Sequence, residues 1–408
     1  MRILFISHYF QPEPNFFWGL PFAKELVGRG HNVEILTGFP NYPGGKIYDG
    51  YRVRILQRET LEGIPIIRVP VYPSHDISSV KRILCYGSLA ISQSLIGPVV
   101  IKSADVAYVI QGPATVGLPA CIIRLLRRIP FVYDIKDLWP DVLGTSGMFS
   151  NRLGLGLVDK WCKFVYKRAG RIVVITPGVK KRLIERGVSE EKIEMIYEWC
   201  DDSHICRAEP NEELAKSLGM AGRFNVVFAG NMGKAQSLSA VLDAAKIIGP
   251  QYPRIQFVFI GSGVEVATLK EKAAAMCLRN TIFHARRPIS EIGAVLRMAD
   301  VLLVHLKDDP VFHIAIPSKI QAYMVAGRPI LIGVKGDAAD LVAKAGAGLP
   351  CEPENPRSIA ETVLKFYTLP RRELDVMGQN GKIFYEQNLS FKIAVPRLEK
   401  IFRAVAKK

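Results

Sequence analysis

Short apolar runs of strand length alternate along the chain with longer segments of helical period. One series comprises Ile3–Ile6, Val33–Thr37, Ile64–Val71, Val106–Ile110, Phe131–Tyr133, Ile172–Ile175 and Ile193–Tyr197. A second comprises Val226–Ala229, Ile255–Gly261, Thr281–His284, Val301–His305, Ile330–Val334 and Leu349–Cys351. Strands buried on both faces read as continuous apolar runs, and helix-length spacers between them predict parallel sheets with crossover helices. The first helix of the second series shows its buried face directly in Leu238, Val241, Leu242, Ala245 and Ile248. The predicted fold class is α/β, with two Rossmann-like doubly wound domains facing across a cleft.

A chain of 408 residues exceeds one ordinary core, since domains typically hold about 100–200 residues. The polar stretch Asp201–Arg223 separates the two series. The expected division is a first domain over 1–202, a linker region over 203–223 and a second domain over 224–385. A terminal helix over 386–408 could pack back on the first domain.

A formal net charge of +16 calls for anionic partners, whether nucleic acid, anionic lipid or phosphorylated substrate. Zinc-finger spacing, an RNP-like aromatic motif and a long basic tail are all missing from the sequence, which sets nucleic acid aside. Seven cysteines, an odd number without a C-x-x-C pair, point to reduced thiols in a cytosolic compartment. The opening Met1–Ser7 suits a first strand better than a signal peptide.

Ile83–Ile101 holds no charged residue and approaches the roughly 20 residues of a membrane span. Ser88, Ser92, Gln93, Ser94 and the Gly97-Pro98 break weigh against spanning, leaving a core helix or an interfacial one. Basic clusters at Arg124/Arg127/Arg128 and Lys160/Lys163/Lys167/Arg168, the latter interleaved with Trp161, Phe164 and Tyr166, add weight to the interfacial reading, while a solvated basic face would carry the same residues. A peripheral position on the inner face of the cell membrane follows as an expectation.

Two segments carry phosphate chemistry. Phe228–Ser237 follows a strand and opens a helix; Gly230 and Gly233 permit close backbone approach and Lys234 supplies a cation. In Ile316–Pro329, Pro317 suits a first helical turn and Gly327 the residue beyond the helix end. That helix start would present Ser318 as a donor and Lys319 as a cation, beside the positive end of the dipole. A structural turn with an exposed lysine, or an ordinary Ser-Lys helix start, would carry the same residues.

The order Gly230-Asn231-x-x-x-x-Gln236-Ser237, Ala299-Asp300-Val301 and Pro317-Ser318-Lys319-x-x-x-Tyr323-x-x-x-Gly327-x-Pro329 resembles the nucleotide-binding lobe of family 4 GT-B glycosyltransferases. In the first lobe, Leu26-x-x-Arg29-Gly30-His31-x-Val33 and Asp137-Leu138-Trp139-Pro140 also resemble that family. The branch most similar builds capsules and O-antigens and includes fucosamine transferases and colanic-acid enzymes. The resemblance implies a retaining, metal-independent glycosyltransferase with a UDP-sugar as co-substrate. The sugar would be an N-acetylated or deoxyamino hexose, and the acceptor a lipid-linked or growing oligosaccharide. A sugar-nucleotide epimerase, or a nucleotide-sugar-binding subunit without catalysis, would show the same lobes.

Lys234 and Lys319 are the expected substitutes for cations that many members direct at the diphosphate, and with Lys136 they form the expected catalytic set. The resemblance assigns donor binding to Gly230, Asn231, Gly233, Gln236, Arg286, His313, Pro317, Ser318 and Gln321, and the acceptor side to Gln11, Asn15 and Asp137. The chain departs from the family in several places. Asn231 and Gln236 stand where many members carry Arg and Lys, and Lys136 where many carry His. Ala322 and Ile314 stand where many carry a pair of Glu, with Gln321 and His313 each one residue away.

Overall fold

The computed structural model describes residues 1–14, 18–74, 79–145 and 152–406. Two compact units divide the chain, one over Met1–Tyr197 with Lys392–Lys408, the other over Glu198–Phe391. In chain order the first contains β1 (Arg2–Ser7), α1 (Leu20–Gly28), β2 (Asn32–Gly38), β3 (Gln57–Leu61), β4 (Ile64–Val69), α2 (Ser79–Val100), β5 (Val106–Gln111) and α3 (Gly117–Arg127). It continues through β6 (Phe131–Ile135), α4 (Asp141–Thr145), α5 (Arg152–Arg168), β7 (Arg171–Val174), α6 (Pro177–Glu185) and β8 (Ile193–Met195).

The second unit contains α7 (Ser203–Cys206), α8 (Glu212–Ser217), β9 (Phe224–Asn231), α9 (Ser239–Ile248), β10 (Ile255–Ser262), α10 (Val266–Ala275), β11 (Thr281–His284) and α11 (Ile289–Met298). Then come β12 (Val301–His305), α12 (Pro310–His313), α13 (Lys319–Ala326), β13 (Ile330–Gly333), α14 (Asp337–Lys344), β14 (Gly348–Pro350), α15 (Pro356–Thr368) and α16 (Arg371–Asn388). The final helix, α17 (Phe391–Ala406), returns to the first unit.

The first sheet has eight strands in the order β3-β4-β2-β1-β5-β6-β7-β8, and the second six in the order β11-β10-β9-β12-β13-β14. All neighbours pair in parallel except β3 with β4. Every strand expected from the apolar runs is present. The antiparallel edge strand β3 is an addition, because its Gln-Arg-Glu-Thr-Leu sequence is polar and half exposed. It is set by the turn at Glu62-Gly63, where both residues have positive φ, 47° and 83°, as a tight two-residue hairpin requires.

Residues 203–223, expected as a linker, instead pack on the second unit. Ile205 is buried, Arg297 Nη1 donates to Ala208 O (2.7 Å), and a Cβ on Gly293 of α11 would come within 2.7 Å of His204 O. In that unit, Val226, Phe228, Phe257, Phe259, Val301 and Leu303 form the sheet face on which α9 and α15 pack.

In the first unit, α17 lays Phe402 against Phe22 and Tyr108 (ring centroids 6.4 and 5.2 Å) and Val405 against Gly170. Its Glu399 lies 3.2 Å from His31 Nε2 and 3.7 Å from Arg29 Nη1. The Arg-Gly-His motif is therefore a holdfast for the last helix, with Gly30 supplying the left-handed turn (φ 84°) between its two grips.

Candidate active site

In each sheet the strand order reverses beside the first strand of the unit, between β1 and β5 and between β9 and β12. Ligands of doubly wound sheets bind at the carboxyl ends of strands at such reversals. In the second unit that position is taken by the end of β9, where Gly230 is exposed at φ 138°.

Helix α13 brings Lys319 to this point. Lys319 and Tyr323 lie one turn apart on one face, and Tyr323 fixes that face to β9. Its buried hydroxyl accepts from Ala229 N (2.9 Å) and donates to Ala229 O (3.2 Å). Lys319 Nζ then sits 3.7 Å from the Phe228 ring centroid, and 3.5 Å from where a Cβ on Gly230 would be. The ammonium is buried and has no hydrogen-bond partner among the described residues. Burial lowers its pKa to about 7. A buried cation without a counter-charge costs several kcal/mol in general (~3–5 when a partner has been removed), a cost that an anion placed beside Gly230 would offset.

The loop after β9 is held by groups that sequence reasoning did not name. His305, at the end of β12, is fully buried; its Nδ1 lies 2.8 Å from Gln236 O and its Nε2 accepts from Glu354 N (3.0 Å). This pair of bonds assigns the neutral ring with its proton on Nδ1, and burial lowers the ring's pKa to match. Glu354 in turn accepts from Ser237 Oγ (2.7 Å) and from Asp308 N (2.9 Å). Three loops, after β9, β12 and β14, are thus tied into one frame. In the sequence His305 reads only as the end of a buried strand, and Glu354 carries no signal, because its role depends on a contact 117 residues away.

Several expected donor contacts are placed otherwise. The Gln236 carboxamide is spent on its own loop, accepting from Gly233 N (3.0 Å). Gln321 is buried, and with its amide oriented toward acceptors it donates to Pro317 O (3.2 Å) and Ser318 O (2.9 Å). It does not replace the acid absent at Ala322. Pro317 lies one residue before the Ser318 cap rather than in the first turn of α13, while Gly327 ends the helix at φ 68° as expected. His313 is half-buried and bonds Asp308 (2.7 Å), which also pairs with Lys335 (2.7 Å). Asn231, Lys234 and Ser318 are exposed around Gly230, Gly233 and Lys319, and Arg286 is exposed after the edge strand β11.

In the first unit Lys136 is turned inward. Its Nζ lies 2.8 Å from Asp134 Oδ2, which also accepts from the Tyr108 hydroxyl, and 4.0 Å from the Trp18 ring centroid. The expected catalytic cation is thus one paired with a buried carboxylate. The Gln11 side chain accepts from Leu20 N (2.9 Å) at the start of α1. Asp137 is exposed, and Asn15 lies outside the described residues. Glu13, which the sequence did not single out, is buried and accepts backbone N–H bonds from Phe10, Asn41 and Tyr42, with burial raising its pKa to about 7. Around it, Tyr9 packs on Tyr42 and Tyr86 on Trp139 (ring centroids 4.8 and 6.5 Å), giving this end of the sheet an aromatic character.

Two doubly wound units in one chain, with an anion-ready switch point in the second, define the GT-B class of fold. The "Glycosyl transferase 4-like domain" family matches residues 20–199 and the "Glycosyl transferases group 1" family residues 210–384. The chain belongs to the family 4 glycosyltransferases, which are retaining enzymes of GT-B fold. It is 25% identical to the probable glycosyltransferase WbjE of Pseudomonas aeruginosa, over 78% of this chain and 80% of that one. It is also 25% identical to the putative colanic acid biosynthesis glycosyl transferase WcaI of Escherichia coli, over 85% of this chain and 86% of that one. Anabaena HepE, solved with UDP, superposes with a TM-score of 0.73 at 15% identity, covering 99% of this chain and 100% of that one.

Proposed function

We propose that the protein transfers an N-acetylated or deoxyamino hexose from a UDP-sugar to a lipid-linked or growing cell-surface glycan. The observation that carries this reading is the buried, unpartnered Lys319 ammonium beside Gly230. A diphosphate placed there gains a desolvated cation, the exposed Lys234 and the N-terminal end of α13. The relation to WcaI and WbjE supports a surface polysaccharide as product, and HepE, solved with UDP and with UDP-glucose, supports a uridine nucleotide.

In the reaction the bond from the sugar's anomeric carbon to the diphosphate oxygen breaks, and a bond from the acceptor oxygen forms on the same face. The acceptor's proton passes to the departing diphosphate. Negative charge grows on that leaving group, so cations already fixed around it act mainly in the transition state. Lys319 and Lys234 take the part a divalent ion plays elsewhere, and no metal is required. The aromatic end of the first sheet supplies stacking surfaces for acceptor sugars.

Purified protein given UDP-sugars and a polyprenyl-diphosphate sugar is expected to release UDP, undiminished by EDTA. Absence of release across a broad donor panel from folded protein refutes the transfer reading, and loss of release in EDTA refutes the metal-free one.

A further inference from the structure

Helix α2 leaves a face uncovered. Val80–Val100 is apolar enough, and long enough, to cross a membrane by composition, yet one side of it belongs to the first sheet. Gln93 Nε2 donates to Ser7 O (2.9 Å) and Leu36 O (3.2 Å), and a Cβ on Gly97 would come within 2.9 Å of Leu36. A polar side chain tied to strand carbonyls and a backbone pressed against the sheet are features of a helix lying flat, not of one surrounded by lipid. The other side presents Val80, Leu84, Ile91, Leu95 and Val99, four or seven residues apart on a single stripe. Their exposure reaches 71% at Leu95 and 81% at Val99.

The surface continues onto neighbouring helices. α2 packs on α3 and α3 on α5, in one layer over the sheet. α3 exposes Leu125 (72%) and Leu126, and α5 exposes Leu153, Leu157 (67%) and Phe164. Scattered exposed leucines are ordinary; apolar side chains of three adjacent helices on one layer are not. The charge around them is one-sided. Arg124 and Arg128 flank the leucines of α3, and Lys160, Lys163, Lys167 and Arg168 stand exposed along α5. Asp159, paired with Lys163 (2.9 Å), is the one acidic residue in the sequences of the three helices.

We infer that this layer is a docking face for an anionic lipid bilayer, with the α2 stripe and the leucines of α3 and α5 entering the interface and the basic residues meeting lipid headgroups. Apolar area combined with a cationic rim is the composition that binds such surfaces. A second copy of the chain fits less well, because a two-fold pairing of this face would set the same cations against one another.

Flotation of the purified protein with vesicles tests this. The wild type is expected to float with vesicles containing phosphatidylglycerol, to float much less with phosphatidylcholine alone, and to be released by high salt. Ile91→Glu/Leu95→Glu and, separately, Leu153→Glu/Leu157→Glu should each lose about tenfold or more of that partitioning. Circular dichroism, thermal midpoint and hydrolysis of the sugar donor in free solution should stay unchanged in both. Wild type that ignores anionic vesicles, or folded double variants that bind as well as it does, overturns the inference. So does a wild-type dimer that these substitutions split without any vesicle binding. The donor-hydrolysis readout separates failure here from failure of the proposed reaction.

Discussion

The carboxyl ends of the two sheets each hold a lysine that lies against an aromatic ring, and the two lysines are in opposite electrostatic states. Lys136 has its counter-charge built in, with Asp134 at 2.8 Å, itself held by Tyr108. Lys319 has none among the described residues, and burial lowers its pKa to about 7. A fold gains nothing from a buried, uncompensated cation. What separates the two lysines is therefore whether the charge is already answered, and residue type and strand position do not reveal that.

The largest effect should come from breaking this difference at Lys319. Lys319→Ala is expected to lower kcat/KM for the sugar donor by about 100- to 1000-fold, the usual loss when one fixed group stabilising a leaving charge is removed. Steady-state kinetics with varied donor would show it; a change of less than about tenfold would mean that the diphosphate binds elsewhere.

The same residue should show a cost in stability. The folded pKa of about 7 lies below the roughly 10.4 of an exposed lysine, so between those values the unfolded chain binds the extra proton. Stability contributed through this group therefore rises with pH across that window, and the penalty is complete below pH 7. Lys319→Met should raise the stability of the unliganded protein at pH 6–7 by an amount on the order of a few kcal/mol and by little above pH 10.5. Denaturant titrations at several pH values would measure it. Lys136→Met should do the reverse, destabilising by about 2–4 kcal/mol because it leaves Asp134 buried and unpaired. Adding Asp134→Asn should recover much of that loss. If Lys136→Met proves neutral in stability and abolishes turnover, the comparison fails.

A smaller effect tests the ionisation of Lys319 itself. With its pKa lowered to about 7 in the free protein, an arriving diphosphate must meet a lysine that has taken up a proton. kcat/KM for the donor should then fall by up to about tenfold per pH unit above pH 7, and the fall should disappear in Lys319→Ala. A flat profile up to pH 9 in the wild type would show that this ammonium stays charged without help.

Strand positions and the doubly wound class were readable because parallel strands buried on both faces leave uninterrupted apolar runs. The polar edge strand β3 left no such run, and its only mark was Glu62-Gly63. That Gly230 ends a strand and Lys319 starts a helix is readable in the sequence, because helix framing and strand ends are local features. The spent amides of Gln236 and Gln321, the inward turn of Lys136 and the clasp of His305 with Glu354 depend on which side chains meet across the sheet, and no local spacing encodes that. The Arg29-Gly30-His31 motif resembles a family pattern, but its partner lies 368 residues on from His31, at Glu399.

That partner gives the mildest prediction and carries the comparison of answered and unanswered charges to the rim of the first unit. Glu399 is ringed by Arg403, His31 and Arg29, and its pKa is lowered, chiefly by the Arg403 hydrogen bond and then by His31. A carboxylate whose folded pKa is depressed stabilises the fold above its unfolded value, and that contribution is lost as pH falls through the folded value. Glu399→Gln should therefore cost about 0.5–1 kcal/mol near neutral pH, and its difference from wild type should vanish in acid. Because Phe402 and Val405 anchor α17 by apolar contacts that do not titrate, the helix should stay docked in this variant. Amide exchange over 391–406 would read this: modestly faster exchange fits an electrostatic clip on an apolar anchor, whereas complete loss of protection would make the clip itself the anchor.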